Sequence, residues 1–176
     1  MKVLSPPEIK DKRIIELGSY DVNGSLRPYI ESNGPKEYIG VDLYPGKYVD
    51  VLCYAEDVLG VYGPESFDII VTTEMLEHVF NWRKIINNMK IMCKSGGIIL
   101  ITTRSYGFGL HGWPYDHWRY ETHDMKYIFS DFQNVIIESD PDKGVFVKAR
   151  KPQYDFRPVI LDDYYLYNIV YDLRIR

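Results

Sequence analysis

Apolar and polar residues run along this chain in blocks that switch between two periods. Arg13–Leu17 (RIIEL), residues 38–41 and a short segment over 48–52 read as three strands. FDIIVT, residues 67–72, is a nearly continuous apolar run of the kind a strand buried on both faces requires, which places it near the centre of a sheet. Between the first two strands, residues 25–31 predict a short helix, with Pro28 tolerated in its first turn and Asn33-Gly34-Pro35 closing it. Trp82, Ile85, Ile86, Met89 and Cys93 recur at helical spacing, so an amphipathic helix is expected over 81–94, with Asn81 as N-cap. Ser95-Gly96-Gly97 then ends it and launches a fifth strand over 98–102. A helix capped by Thr122 runs to about Phe129. Strands follow over 134–138 and 144–149, joined by the tight-turn sequence Asp140-Pro141-Asp142-Lys143-Gly144 and therefore expected to form an antiparallel hairpin.

Strands alternating with helices define an α/β fold, a three-layer sandwich around a seven-stranded, mostly parallel sheet with a terminal antiparallel hairpin. Residues 104–122, rich in glycine, aromatics and histidine, have no clear period and read as a long loop at the carboxyl end of a strand, where binding and chemistry collect. Residues 1–150 are expected to form the domain proper. Residues 151–176 form a tyrosine-rich extension whose period-two alternation over 165–175 predicts one strand, with three roles open to it: an edge strand, a lid, or a contact in a homodimer.

Composition narrows the partners. The 176 residues, 45% hydrophobic and 26% charged, suit one domain with a full core. A net charge of -4 argues against nucleic acid as a partner. No window is apolar enough for a membrane span, and MKVLSPPEIKDKR lacks the apolar core of a signal peptide, so a cytoplasmic location is expected. Cys53 and Cys93 sit apart, without a CxxC or Cys/His cluster, and read as free buried thiols.

The candidate chemistry begins at IIELGSYDVNGS, an apolar strand followed by a glycine-bearing turn, after which YIGVD closes the next strand on Asp42. An acid at that place can hold both hydroxyls of an adenosine ribose, because a carboxylate accepts two donors at once. A nicotinamide-dependent oxidoreductase shares this arrangement but calls for a fuller GxGxxG than GSYDVNG. Three segments in order, IIELGSYDVNGS, YIGVD, and FDIIVTTEMLEHV followed by a helix and KSGGIILITT, resemble the class I S-adenosylmethionine-dependent methyltransferases. The similarity is greatest to the small, LEHV-containing, type 11-like domains of Rossmann-like fold.

That resemblance implies S-adenosyl-L-methionine as cofactor and S-adenosyl-L-homocysteine as product. Glu16 matches the acid that receives the ammonium of the methionine moiety, and Gly18 and Ser19 belong to the turn beneath it. Asp42 and Leu43 match the ribose-binding position and its neighbour. Ala55 and Glu56 fall where the family reads the adenine edge, and Thr73 and Glu74 beside the methyl group and the acceptor. Tyr20 and Val22 replace two usual glycines, so Tyr20 is expected to cover part of the methionine moiety. Tyr54 stands where relatives often carry an adenine-reading aspartate. Few residues precede the first strand, and relatives commonly roof their active site from there. The altered turn and the tyrosine-rich tail also suit a non-catalytic cofactor-binding or assembly subunit.

The loop HGWPYDHWRY supplies groups for a small-molecule methyl acceptor whose accepting atom is oxygen or nitrogen, sugar-like or otherwise polar. His111, Asp116 and His117 are candidate bases or hydrogen-bonding partners. Arg119 suits an anionic substrate, and Trp113, Trp118 and Tyr120 form walls. The pair Asp116 and Arg119 has a second reading as a structural pin. His78 is a catalytic candidate that can equally buttress the next helix, and Glu77 reads as an exposed or helix-start acid. His111, His117 and His123 recur regularly, but not at a helical ligand spacing, and no metal site is expected from them.

Overall fold

The computed structural model describes residues 4–112 and 115–176. Five strands follow the apolar runs: β1 (Arg13–Leu17), β2 (Glu37–Asp42), β3 (Val51–Leu52), β4 (Phe67–Thr73) and β5 (Cys93–Arg104). They pair in parallel in the order β3-β2-β1-β4-β5. Two more, β7 (Gln133–Asp140) and β8 (Gly144–Arg150), form the expected hairpin, and β8 adds antiparallel to β5 so that the seven-stranded sheet ends β5-β8-β7. The order reverses between β1 and β4. A crevice opens at such a reversal, outside the carboxyl ends of the strands, because the connections leave toward opposite faces of the sheet.

Period-two alternation sorts the strand residues into two cores. Ile15, Leu17, Ile70, Ile99 and Ile101 face one way, against α4 (Trp82–Met92) and α5 (Thr122–Ile128), burying Trp82, Ile85, Ile86, Met89 and Met125. Ile14, Ile69, Val71, Ile98 and Leu100 face the other way, toward Ile9 of α1 (Pro6–Ile9) and Ile30 of α2 (Arg27–Ser32). A short α3 (Val58–Tyr62) packs on the first of these faces through Val58. No helix among the described residues is long and apolar enough to cross a membrane.

Four local expectations are corrected. Ser95-Gly96-Gly97 does not stop the helix: α4 ends at Met92, and the glycines lie inside β5, where the register slips from Phe67↔Cys93 to Ile69↔Ile98. Gly96 sits at φ 75, and a Cβ on Gly97 would come within 2.8 Å of Asp68 and Lys94 backbone oxygens, so both are required by the bulge. Asn81 makes no side-chain cap; its amide reaches Glu56 Oε1 at 3.4 Å instead. The N-cap of α5 is Glu121, whose backbone N–H donates to Asp124 at 2.8 Å, not Thr122. The tail is two short strands, β9 (Leu166–Asn168) and β10 (Leu173–Ile175), paired antiparallel. Asn168 Oδ1 accepts from the N–H groups of Val170 and Tyr171, which turns the chain there despite the continuing alternation of tyrosines.

A second sheet joins that tail to the long loop. Trp118–Arg119 is strand β6, antiparallel to β9, in a three-stranded sheet β10-β9-β6. The approach to it crosses the helical face: Arg83 donates to the carbonyls of Leu161 and Tyr164, and Tyr164 donates to Asp124 at 2.7 Å while stacking on Tyr127.

Candidate active site

The crevice at the β1/β4 reversal gathers most of the residues singled out for a cofactor. The first turn after β1 starts with Gly18 at φ 77, which L side chains rarely adopt, and a Cβ there would lie 2.6 Å from Met75. Backbone N–H groups of Gly18 and Ser19 both donate to Val41. Gly40 of β2 leaves the space that buried Ser19 occupies, since its Cβ would meet Ser19 Oγ at 2.7 Å. Ser19 Oγ has no partner among the described residues.

Glu16, one residue from the end of β1, is 1% exposed. Tyr38 O–H donates to its Oε2 at 2.6 Å, and Thr73 O–H to its Oε1 at 3.4 Å. Burial nonetheless pushes its pKa up to about 7, because removing a carboxylate from water outweighs the two hydrogen bonds and the nearby Arg27 guanidinium. Asp42, at the end of β2, is held differently. Oδ2 accepts from the N–H of Tyr20 at 3.0 Å, and Oδ1 from those of Leu43 and Tyr44 at 2.7 and 3.2 Å. Three of the roughly four lone-pair directions of a carboxylate are engaged, which fixes its orientation at the crevice mouth.

Apolar side chains stand exposed around this mouth: Tyr20, Leu43, Tyr44 and Tyr54, the last at 62%. Tyr20 lies against Gly46, where a Cβ would come within 2.4 Å of its ring. Glu56 is tied to α4 by Asn88, which donates to its backbone carbonyl at 2.9 Å, leaving Ala55 packed on the core beside it. A wide-angle glycine, two acids at adjacent strand ends and a half-wet apolar rim fit a nucleoside carrying an amino acid.

The acceptor side starts where β4 ends. Glu74 sits at φ 53 and pairs with Arg104. The next turn, Leu76–His78, is a single 3-10 turn; Glu77 stands in it as the helix-start reading expects, but completely buried rather than exposed. Thr103 O–H donates to Glu77 Oε2 at 2.8 Å, and burial together with the Glu74 charge pushes its pKa up to about 8. His78 Nδ1–H donates to the Tyr115 carbonyl, and burial lowers the pKa of the ring. Gly112, at φ 89, lets the loop close on this imidazole, with 2.8 Å from its would-be Cβ to His78 Cε1.

The loop residues divide into two sets. Asp116 and Arg119 are both buried and bonded through two contacts of 2.5 and 2.7 Å, and Asp116 also accepts from the His111 N–H at 2.8 Å and lies 3.1 Å from its Nδ1. Burial opposes ionisation of Asp116, but the Arg119 guanidinium and the His111 N–H hold its carboxyl below the usual range. Arg119 spends its remaining donors on the carbonyls of Phe108, Gly109 and Trp118. The structure therefore places Arg119 as a pin of the loop, away from any anionic substrate. Trp118 and Tyr120 are also in the core, their polar atoms satisfied by the carbonyls of Val79 and Leu76. Trp113 lies outside the described residues. Outside that pin are His111, its ring 5.1 Å from that of His78, and His117, between Tyr115 and Phe80. His123 is elsewhere, exposed beside Asp124. Tyr38 was not singled out from sequence, since a tyrosine within a strand carries no signal of its own, and Glu77 read there only as an exposed or helix-start acid.

The fold defines a class I methyltransferase architecture, whose cofactor is S-adenosylmethionine. The methyltransferase-domain family matches residues 1–134, and the chain belongs to it. It is an S-adenosylmethionine-dependent methyltransferase. No curated protein sequence matches it. Its fold is similar to solved structures of low identity. One is an S-adenosylmethionine-dependent methyltransferase from Mesorhizobium loti, 14% identical, with a TM-score of 0.61 over 82% of this chain and 93% of that one. A second, from Archaeoglobus fulgidus, is 16% identical with a TM-score of 0.64 over 82% and 89%. A third is phosphoethanolamine N-methyltransferase 2 of Haemonchus contortus in complex with S-adenosyl-L-methionine, 16% identical, with a TM-score of 0.65 over 82% of this chain and 49% of that one.

Proposed function

We propose that this methyltransferase acts on an oxygen or nitrogen of a small polar molecule, sugar-like or comparably rich in hydrogen-bonding groups. Glu16 receives the ammonium of the cofactor and Asp42 its ribose hydroxyls. Leu43, Tyr54 and Ala55 flank the adenine, with Glu56 at its edge. Ser19 and Tyr20 border the methionine moiety. Thr73 and Glu74 stand beside the methyl group, and His78, His111 and His117 face the acceptor, with Asp116 positioning His111. Transfer forms the bond from the acceptor atom to the methyl carbon as the carbon–sulfur bond breaks. The electron pair stays on sulfur, giving S-adenosyl-L-homocysteine, and the acceptor proton passes to a base or to water.

The observation that carries this reading is the pair Glu16 and Asp42 at the ends of adjacent strands, with Gly18 between them packed against Met75 at the start of the turn that carries His78. A small polar amine is the substrate named for the Haemonchus neighbour, which supports the size and polarity proposed. Calorimetric titration with S-adenosyl-L-homocysteine and separately with NAD, on wild type and Asp42→Ala, tests the cofactor half. Micromolar homocysteine-cofactor binding that Asp42→Ala abolishes is expected, and NAD binding alone refutes it. A panel of hydroxyl and amine acceptors, read by S-adenosyl-L-homocysteine release, tests the rest: turnover confined to large polymers would overturn a small acceptor.

A further inference from the structure

Glu77, His78 and His111 come from a buried turn and from the middle of the long loop, yet each offers a ligand atom, and all three atoms lie within 4.8 Å of one another. Glu77 is fully buried and its Oε1 has no hydrogen-bond partner among the described residues. His78 Nε2 is 4.0 Å from that oxygen, beyond hydrogen-bonding reach, so the two groups face each other without bonding.

Both imidazoles are prepared from behind. His78 has its Nδ1 on the Tyr115 carbonyl, which accepts only, so Nδ1 carries the proton and Nε2 presents its lone pair. His111 has its Nδ1 against Asp116, a carboxylate itself fixed by two bonds to Arg119 and one from the His111 N–H. A carbonyl behind one ring and a carboxylate behind the other is the outer arrangement that orients metal-binding histidines and raises their basicity. An orphan carboxylate oxygen is what a cation would satisfy.

We propose that Glu77, His78 and His111 bind one divalent transition-metal cation of the zinc class. Two imidazole nitrogens and one carboxylate oxygen suit that class and not magnesium or calcium, which take oxygen ligands. Tetrahedral bonds of about 2.0 Å place ligand atoms roughly 3.3 Å apart, so the three close by on the order of 1 Å around the ion. A fourth position stays open toward the acceptor side. The consequence for transfer rests on the function proposed above: a hydroxyl held there gives its proton to water more readily, and its oxygen forms the bond to the methyl carbon as sulfur leaves with the electron pair. The site thus favours an oxygen acceptor.

The test is metal binding by the whole protein after chelation. Calorimetry with zinc, and cobalt(II) followed by its visible absorption, should show one equivalent bound. Glu77→Gln, His78→Ala and His111→Ala should each weaken it at least tenfold, while His123→Ala, at an exposed histidine, leaves it unchanged. Since a variant at buried Glu77 can fail to fold, wild type is also modified with diethyl pyrocarbonate with and without zinc. Protection of His78 and His111 but not His123, read by peptide mass spectrometry, is expected. Absence of stoichiometric binding, binding that survives in the folded variants, or equal protection of all histidines overturns the site. S-adenosyl-L-homocysteine titration of the metal-free protein is a separate readout: its failure counts against the cofactor assignment and leaves the metal result standing.

Discussion

With the cofactor ammonium assigned to Glu16 as proposed, cofactor binding is expected to depend on pH. Its pKa in the folded protein is about 7, set by burial, against 4.5 for an ordinary glutamate. The folded state therefore keeps a proton that the unfolded chain has released, and stability falls as pH rises from about 4.5 to about 7. The gap corresponds to about 3 kcal/mol at 1.36 kcal/mol per pH unit, all of it present below pH 4.5 and lost above 7. A ligand ammonium that needs ionised Glu16 must displace this proton. Its apparent dissociation constant then grows by a factor of 1 + 10^(7−pH), roughly elevenfold at pH 6 and only about 1.3-fold at pH 7.5. Calorimetric titration with S-adenosyl-L-homocysteine should thus be about eightfold weaker at pH 6 than at 7.5, with uptake of the ligand releasing protons into the buffer. Glu16→Gln should bind weakly and without that slope, and its melting temperature should vary less between pH 4.5 and 7. A flat profile in wild type, or the same slope in Glu16→Gln, would refute the assignment of Glu16 to the ammonium.

Three further outcomes are expected. Gly18→Ala forces a Cβ onto Met75 at a positive φ and should cost on the order of 2–4 kcal/mol, measured by urea unfolding, with loss of homocysteine-cofactor binding. Arg119→Ala leaves Asp116 buried without its counter-charge and should destabilise by about 3–5 kcal/mol, whereas a substrate-binding arginine would have changed KM and left the melt alone. Asn168→Ala removes the acceptor that turns β9 into β10 and should cost about 1–2 kcal/mol; methyl transfer should fall while cofactor affinity holds, and an unchanged turnover would show that the tail does not order the loop.

Most of the central sheet was legible because its longer strands declare a period without help from partners; β3, only two residues long, is the exception. FDIIVT is buried at nearly every position, and Glu16 and Asp42 fall in strands whose ends the apolar runs mark, with Gly18 directly after the first of them. The acceptor side was harder for two physical reasons. Strand β6 is two residues long, and among the described residues it pairs with β9, far along the chain, so no local pattern marks it. Charge alone left two readings there: Arg119 suits an anionic substrate or a pin with Asp116, and Glu77 an exposed or a helix-start position; both are enclosed because Asp116 neutralises the first and Thr103 bonds the second. The aromatic and histidine content of the loop did not show which of its rings are buried, as those of Trp118 and Tyr120 are.

The pairing of β6 with β9 orders events in time. A ribosome delivers residues 1–150 before it delivers 166–175, so the crevice around Glu16 and Asp42 can assemble while the strand next to His117 still has no partner. A chain released between 151 and 165 would hold half a site: able to take up a nucleoside, but with its histidine loop untethered. Nonsense codons in that short interval are therefore expected to yield a protein that sequesters cofactor without turning it over, a different lesion from a truncation further upstream, which removes the sheet itself.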